Sequence, residues 1–224
     1  MTTHIDAIIF DLDGVITDTA EYHYLAWKKL GEEIGIPFDR EFNETLKGVS
    51  RMDSLERILE HGGRQNDFTP VQKEALASKK NDHYVQLIQT ITEKDVLPGV
   101  ENFLKQIKEA GIKIAMASSS KNALFVTEKL GLMTYFDHIV DAATVVRSKP
   151  DPEVFLKAAK AVDAAPANCI GVEDAAAGVC AINDAEMFAV GIGDRSVLGH
   201  ARMILQSTKE LNLETFLNEY AKKD

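Results

Sequence analysis

Short apolar segments alternate with amphipathic helical patterns along most of this chain. The first apolar segment, Ile5 to Phe10, has the length and the β-branched residues of a buried strand. From residue 97 onward, helix and strand patterns alternate, which predicts βαβ units and a doubly wound parallel sheet of the α/β class. The predicted strands cover residues 5–10, 112–117, 138–141, 168–172, 187–191 and 202–205, and the helices cover 99–110, 121–131, 151–164, 175–185 and 212–222.

An all-helical segment interrupts this alternation directly after the first strand. Its predicted helices cover residues 18–35, 50–61 and 70–89, with Ser50 capping the second helix and Trp27 in the segment's core. An insertion at this point would overhang the carboxyl end of the first strand. We therefore expect an α/β core, residues 1–16 and 91–224, covered by a helical cap domain, residues 17–90.

Composition and charge narrow the possible partners. The chain has 224 residues, of which 45% are hydrophobic, enough for a sizeable core, and a net charge of −10 that disfavours nucleic acid and anionic membranes as partners. It shows neither a leader pattern nor an apolar run long enough to span a membrane. Cys169 and Cys180 are expected to be free thiols. These features predict a cytoplasmic protein, and we expect a monomer.

Reactive polar residues follow four of the predicted strands or precede helices of the α/β part. They are Asp11 and Asp13, the cluster from Ser118 to Asn122, Lys149, and the pair Glu173 and Asp174. Each alone has a structural explanation, as a helix cap, a solvated turn or a complement to a helix dipole. Because parallel strands place their ligands at one sheet edge, their convergence predicts a site for phosphate and Mg²⁺.

The Asp11 and Asp13 carboxylates would repel each other in one pocket, and Mg²⁺, a shared proton or a phosphoryl group could relieve that repulsion. Phosphoryl transfer fits: Asp11 can attack phosphorus and Asp13 can serve as general acid and base. The metal ligands would be Asp11, the backbone carbonyl of Asp13 and Asp174, with Glu173 binding the metal or one of its waters. Ser118 and neighbouring amides at a helix start would donate to the phosphoryl group, and Lys149 would add positive charge.

These motifs resemble those of the haloacid dehalogenase superfamily. The match comprises the run Asp11-Leu12-Asp13-Gly14-Val15-Ile16-Thr17-Asp18 together with Ser118, Lys149 and Glu173-Asp174, in order and across essentially the whole chain. The resemblance implies a Rossmann-like core with a small α-helical cap. One departure is Ala175, where related sequences carry serine. It removes a possible hydroxyl near the metal.

The cap segments 17–23, 47–51 and 80–82, with residues 117–122, resemble the β-phosphoglucomutase family within that superfamily. The resemblance implies that Arg51 grips a second phosphate, helped by Lys121 and Asn122, and that His23 and Lys80 place Asp13 when the cap closes. The full set of implied substrate-binding residues is Thr19, His23, Lys47, Gly48, Val49, Arg51, Ser54, Lys80, Ser119, Ser120, Lys121 and Asn122.

The implied reaction interconverts β-D-glucose 1-phosphate and glucose 6-phosphate through an aspartyl-phosphate and a glucose 1,6-bisphosphate intermediate. The nearest alternative is a sugar-phosphate phosphatase, which would use the same core residues and transfer the group to water. A non-catalytic binding protein on the same fold is a more distant alternative, since a binder has no need of both carboxylates.

Overall fold

A six-stranded parallel sheet forms the centre of the computed structural model, which describes residues 4–222. The order of the strands across the sheet is β3-β2-β1-β4-β5-β6. The strands are β1 (Ala7–Phe10), β2 (Lys113–Met116), β3 (His138–Ile139), β4 (Cys169–Glu173), β5 (Phe188–Ile192) and β6 (Met203–Leu205). The prediction of a doubly wound parallel sheet is confirmed.

Ten α-helices accompany the strands in the described part of the chain. The first four follow β1 in the sequence: α1 (Ala20–Glu33), α2 (Arg40–Glu44), α3 (Arg51–His61) and α4 (Pro70–Ile88). The others are α5 (Val100–Glu109), α6 (Ala123–Lys129), α7 (Glu153–Ala161), α8 (Ala176–Asp184), α9 (Arg195–Leu198) and α10 (Leu213–Tyr220). Within residues 4–222, no helix combines the length and apolar character needed to cross a bilayer.

Alternating side chains of the strands separate two apolar clusters, one on each face of the sheet. In β1, Ile8 and Phe10 join a cluster with α5 and α10, whereas Ala7 and Ile9 join one with α7 and α8. This division explains why the buried strands read as continuous apolar runs. A third cluster lies within α1, α3 and α4 and contains the buried side chain of Trp27, as predicted.

The helices α1–α4, together called the helical insert, join the sheet part of the molecule through two adjacent segments. The Thr17 backbone bridges Val96, Leu97 N donates to Ile16 O at 2.9 Å, and Thr17 Oγ1 donates to Asp95 O at 2.8 Å. The chain therefore leaves and re-enters the sheet part at one place.

Several predicted boundaries differ from the structure. The predictions missed α2, which Asp39 caps by accepting from Phe42 N at 2.8 Å, because five residues are too few for a helical period to show. Glu173 is the last residue of β4 rather than the first after it. Helix α6 begins at Ala123, because the Ser120 hydroxyl accepts from Asn122 N and holds a turn there. The amides next to Ser118, which were predicted at a helix start, therefore lie in the loop before α6.

Candidate active site

A buried lysine between two carboxylates lies at the carboxyl end of the central strands. Lys149 Nζ is 2.6 Å from Asp11 Oδ1 and 2.8 Å from Glu173 Oε2, and all three side chains are buried. The register pairs Phe10 with Val172, so Asp11 and Glu173 follow at the same level of adjacent strands. This pairing satisfies a charge that would otherwise be costly to bury.

Burial and charge compete at this cluster. Burial opposes the positive charge of Lys149, but the neighbouring Asp11 and Glu173 carboxylates raise its pKa above the usual value. Burial raises the pKa of Glu173 well above its usual value, and the Asp11 charge adds to the rise. Lys149 is therefore a permanent positive charge beside Asp11.

A third carboxylate completes a candidate cation site. Ligand atoms of Asp11, Glu173 and Asp174 all lie within 4.8 Å of one another. Burial raises the pKa of Asp174 to about 7, with Asp11 as the next cause. Three clustered carboxylates with one lysine fit a hard divalent cation, which takes oxygen ligands.

Two glycines allow these carboxylates to approach the backbone. A Cβ on Gly14, whose φ is +80°, would overlap the Asp174 carboxylate, and a Cβ on Gly178 in α8 would overlap that of Glu173. The predicted site residues did not include these glycines, although Gly14 is part of the motif run from Asp11 to Asp18. A glycine inside a helix lowers helix stability by up to about 1 kcal/mol relative to alanine. A glycine at position 178, inside a predicted helix, was therefore the sequence feature that could have indicated a close contact there.

Asp13 lies beside this cluster with its side chain directed at the cavity. Its backbone N donates to Asp11 Oδ2 at 3.0 Å, while its buried Oδ1 has no hydrogen-bond partner. Burial, and then the Asp11 charge, raise the pKa of Asp13 to about 8. A carboxyl group with such a pKa can carry a proton near neutral pH and release it.

A cavity of about 530 Å³ separates the helical insert from the sheet edge. Fourteen of the predicted site residues line it: Asp11, Asp13, His23, Lys47, Gly48, Val49, Arg51, Ser54, Lys80, Ser119, Ser120, Lys121, Asn122 and Asp174. Ser118 and Lys149 line a smaller adjoining cavity of about 60 Å³ instead. Thr19 and Glu173 are fully buried and line neither of these cavities.

Basic side chains of the insert face Asp13. His23 Nε2 is 3.8 Å from Asp13 Oδ2, and Lys80 Nζ is 2.8 Å from His23 Nδ1. Burial and the Arg51 charge lower the pKa of Lys80 to about 7. Burial and the Lys80 charge lower the pKa of His23 well below its usual value. His23 is therefore neutral, and Lys80 loses its proton near neutral pH.

Residues 47–51 form the loop that closes the cavity from the insert. Ser119 Oγ donates to Gly48 O at 2.8 Å, and Gly48 has a φ of +74° that favours glycine. Burial lowers the pKa of Arg51, which lines the cavity. A second link is the hydrogen bond from Asn122 Nδ2 to Asn81 Oδ1 at 2.9 Å. The insert and the sheet part are therefore in direct contact around the cavity.

The comparisons with known proteins agree with this geometry. The haloacid dehalogenase-like hydrolase family matches residues 5–186. The chain belongs to the haloacid dehalogenase-like hydrolase family. The superfamily resemblance inferred from the four motifs is thereby confirmed.

Within the haloacid dehalogenase-like hydrolases, the chain is 49% identical to a Bacillus subtilis protein named beta-phosphoglucomutase over 214 residues, 96% of this chain and 95% of that protein. A crystal structure of beta-phosphoglucomutase from Clostridium difficile matches with a TM-score of 0.96 and 50% identity, over 97% of this chain and 98% of that one. A Thermotoga maritima protein named phosphorylated carbohydrates phosphatase is 28% identical over 81% of this chain and 82% of that protein.

Several cavity-lining residues of this haloacid dehalogenase-like hydrolase were absent from the predicted site. Asn43, Asp53 and Asn81 line the cavity, as does the loop 142–146 through Ala142, Ala143, Val145 and Val146. Trp27 also lines it, with Lys80 Nζ 4.5 Å from the centre of its ring. Asn81 lies in segment 80–82, which carries part of the family resemblance. No local pattern marks the other residues as parts of a site, because their placement depends on how the insert packs over the sheet.

Proposed function

We propose that this protein interconverts β-D-glucose 1-phosphate and glucose 6-phosphate. The observation that carries the proposal is that one cavity is lined both by the Asp11–Asp13 pair and by four lysine and arginine side chains, those of Lys47, Arg51, Lys80 and Lys121. A sugar bisphosphate needs a reactive acid pair at one phosphate and positive charge for the other. The 49% identity to a protein named beta-phosphoglucomutase supports the same activity.

The proposed reaction uses the two aspartates in turn. In the phosphorylated enzyme the group is on an Asp11 carboxylate oxygen, and the sugar 6-hydroxyl attacks its phosphorus while Asp13 accepts the hydroxyl proton. The resulting β-glucose 1,6-bisphosphate then reorients within the cavity, so that its other phosphate faces Asp11. Asp11 then attacks the other phosphorus, the bond to the sugar O1 breaks, and Asp13 returns the proton to that oxygen. General acid and base catalysis of this kind contributes about 10²–10⁴-fold.

Mg²⁺ is the proposed cofactor, held by Asp11, Asp174, the Asp13 carbonyl and Glu173. Bound there, it would neutralise negative charge on the transferring phosphoryl group. Lys149 adds a fixed positive charge beside Asp11, and Ser118 is proposed to donate to a phosphoryl oxygen. Lys149 and Ser118 both lie on the buried, core side of the site.

We further propose that residues 17–90 act as a cap that closes on the core, residues 1–16 and 91–224. Closure would exclude water, which otherwise hydrolyses the aspartyl-phosphate. In the closed arrangement His23 and Lys80 place Asp13, and when the cap opens Thr19 holds it. Gly48, Val49 and Ser54, with Lys47, are proposed to line the sugar.

Phosphorus NMR of β-glucose 1-phosphate with the protein, Mg²⁺ and a trace of β-glucose 1,6-bisphosphate tests the proposal. We expect glucose 6-phosphate to appear at the rate of substrate loss. The control Asp13→Asn should bind the sugar phosphate but turn over about 10²–10⁴-fold more slowly. Inorganic phosphate appearing at the rate of substrate loss would instead assign the alternative, a sugar-phosphate phosphatase like the Thermotoga relative.

A further inference from the structure

One hydrogen bond joins the helical insert to the loop that carries Lys149. Ser148 Oγ donates to Asp53 Oδ2 at 2.5 Å, although the two residues are 95 positions apart in the chain. Asp53 lies in the first turn of α3, two residues after Arg51, and Ser148 directly precedes Lys149. The contact therefore connects the helix that begins with Arg51 to the segment that places the lysine beside Asp11.

Helix capping explains only part of the bonding of Asp53. Ser50 Oγ donates to Asp53 Oδ2 at 2.6 Å and accepts from Asp53 N at 3.3 Å, a local arrangement that stabilises the start of α3. Such capping needs no partner from outside the helix. Ser148 supplies a second hydroxyl from the loop that precedes Lys149, and hydrogen bonds to a carboxylate are stronger than those between neutral groups.

The loop before Ser148 is anchored on its own side of the molecule. The Glu153 carboxylate accepts from Val146 N and Arg147 N, both at 2.9 Å, and Lys157 Nζ lies 2.8 Å from Glu153 Oε1. The hydrogen bond from Lys157 and those from the two amides lower the pKa of Glu153 to about 2, so it is ionised at neutral pH. The loop thus presents Ser148 from a fixed position, and α3 docks onto it.

We propose that Asp53 and Ser148 are positioning residues that hold the first turn of α3, and with it Arg51, over the core while the phosphoryl group is transferred. This inference rests on the proposed mutase function. The contact is suited to a test because Ser148 does not line the large cavity, whereas Ser119 and Asn122, which form the other two links described above, do. Removing the Ser148 hydroxyl therefore changes the link without changing the lining of the substrate cavity.

The kinetic test compares Ser148→Ala with Thr144→Val, a control in the same loop whose hydroxyl donates only locally, to Asp141 O at 2.7 Å. With β-glucose 1-phosphate as substrate, we expect Ser148→Ala to raise both KM and the fraction of turnovers that release inorganic phosphate by about 3- to 10-fold. The value of kcat should stay within about 2-fold, and the control should match the wild type. Unchanged KM and phosphate release in Ser148→Ala would overturn the proposal.

A second measurement does not depend on turnover. Hydrogen–deuterium exchange of residues 47–54 and 142–148, with β-glucose 1-phosphate present, should be about 3- to 10-fold faster in Ser148→Ala than in the wild type. Adding Asp53→Asn, which can still cap α3, should cause little further change, and equal exchange in Ser148→Ala and wild type would contradict the contact's role. If the wild type released only phosphate, the proposed mutase function would fail, while this comparison would still decide whether the contact holds α3.

Discussion

The two sides of the cavity each bury a lysine, but they treat its charge in opposite ways. On the core side, Lys149 lies between the Asp11 and Glu173 carboxylates, which raise its pKa. On the insert side, Lys80 forms no ion pair with a carboxylate in the described part of the chain. Its ammonium contacts His23 Nδ1 and lies 4.5 Å and 5.0 Å from the ring centres of Trp27 and Tyr84. Burial lowers its pKa to about 7.

The two sides therefore differ in whether their hydrogen-bonding groups are already paired within the protein or are still available to a ligand. The core-side groups bond to one another, so their positions are fixed before substrate arrives. On the other side of Asp11, Asp13 Oδ1 and His23 Nε2 are buried without hydrogen-bond partners. Buried polar atoms are normally bonded, so these two are suited to a substrate or to a change in the position of Asp13. The paired groups of the core thus supply fixed charge, whereas Asp13 and the insert supply contacts that can change.

The same substitution on each side gives the strongest test of this contrast. Lys149→Met would leave two buried carboxylates without their cation, and we expect it to lower the free energy of unfolding by about 3–5 kcal/mol. Lys80→Met keeps the contacts with two aromatic rings and removes a charge that burial disfavours, so a loss below about 1 kcal/mol is expected. Urea denaturation of both variants measures the difference. Comparable losses of unfolding free energy in Lys149→Met and Lys80→Met would contradict the contrast between the two sides.

The contrast also explains what the sequence could predict. Asp11 and Ser118 follow strands and Glu173 ends one, and the edge of a parallel sheet brings such positions together whatever the conformation of the loops. The order of strands and polar residues along the sequence was therefore enough to predict the fold and the core side of the site. The presence of α2 and the start of α6 were not predictable in this way, because short capping turns determine them.

The insert side could be predicted only through a resemblance. Lys80 and His23 are 57 positions apart and meet because α1 and α4 pack together, which their periodicity does not specify. Ser50 was predicted to cap the helix that is α3, and it does so with Asp53 as its partner, but the contact of Asp53 with Ser148 depends on how α3 docks on the core. A contact between two separately packed elements leaves no pattern in the sequence of either element that would predict it.

Arg51 offers a smaller test of the insert side. Its guanidinium can bind a phosphate through two parallel N–H donors, which lysine cannot reproduce. We expect Arg51→Lys to raise KM for β-glucose 1-phosphate about 10-fold, with little change in the free energy of unfolding. Arg57→Lys is the matched control, because it lies on the same helix and bonds Thr45 O away from the cavity. An unchanged KM in Arg51→Lys would remove that residue from the substrate site.

The smallest expected effect concerns pH and metal on the core side. The pKa values of Asp13 and Asp174 are raised from 3.8 to about 8 and about 7 by burial and then by the Asp11 charge. Without metal, the folded protein therefore holds protons between about pH 4 and pH 8 that the unfolded chain has already released. Because Asp13 and Asp174 bind more protons in the folded state in this range, their contribution to the free energy of unfolding falls as pH rises through it.

Mg²⁺ should reverse that fall, since it binds the ionised carboxylates and competes with their protons. Urea denaturation with EDTA and then with Mg²⁺, at about pH 5.5 and about pH 8, measures the gain from the metal at each pH. The gain should be larger at the higher pH, where protons no longer compete. Asp174→Asn should flatten the pH dependence in EDTA and shrink the gain, because it removes one raised carboxyl and one ligand together. An equal gain at both pH values would mean that the metal binds elsewhere than at these buried acids.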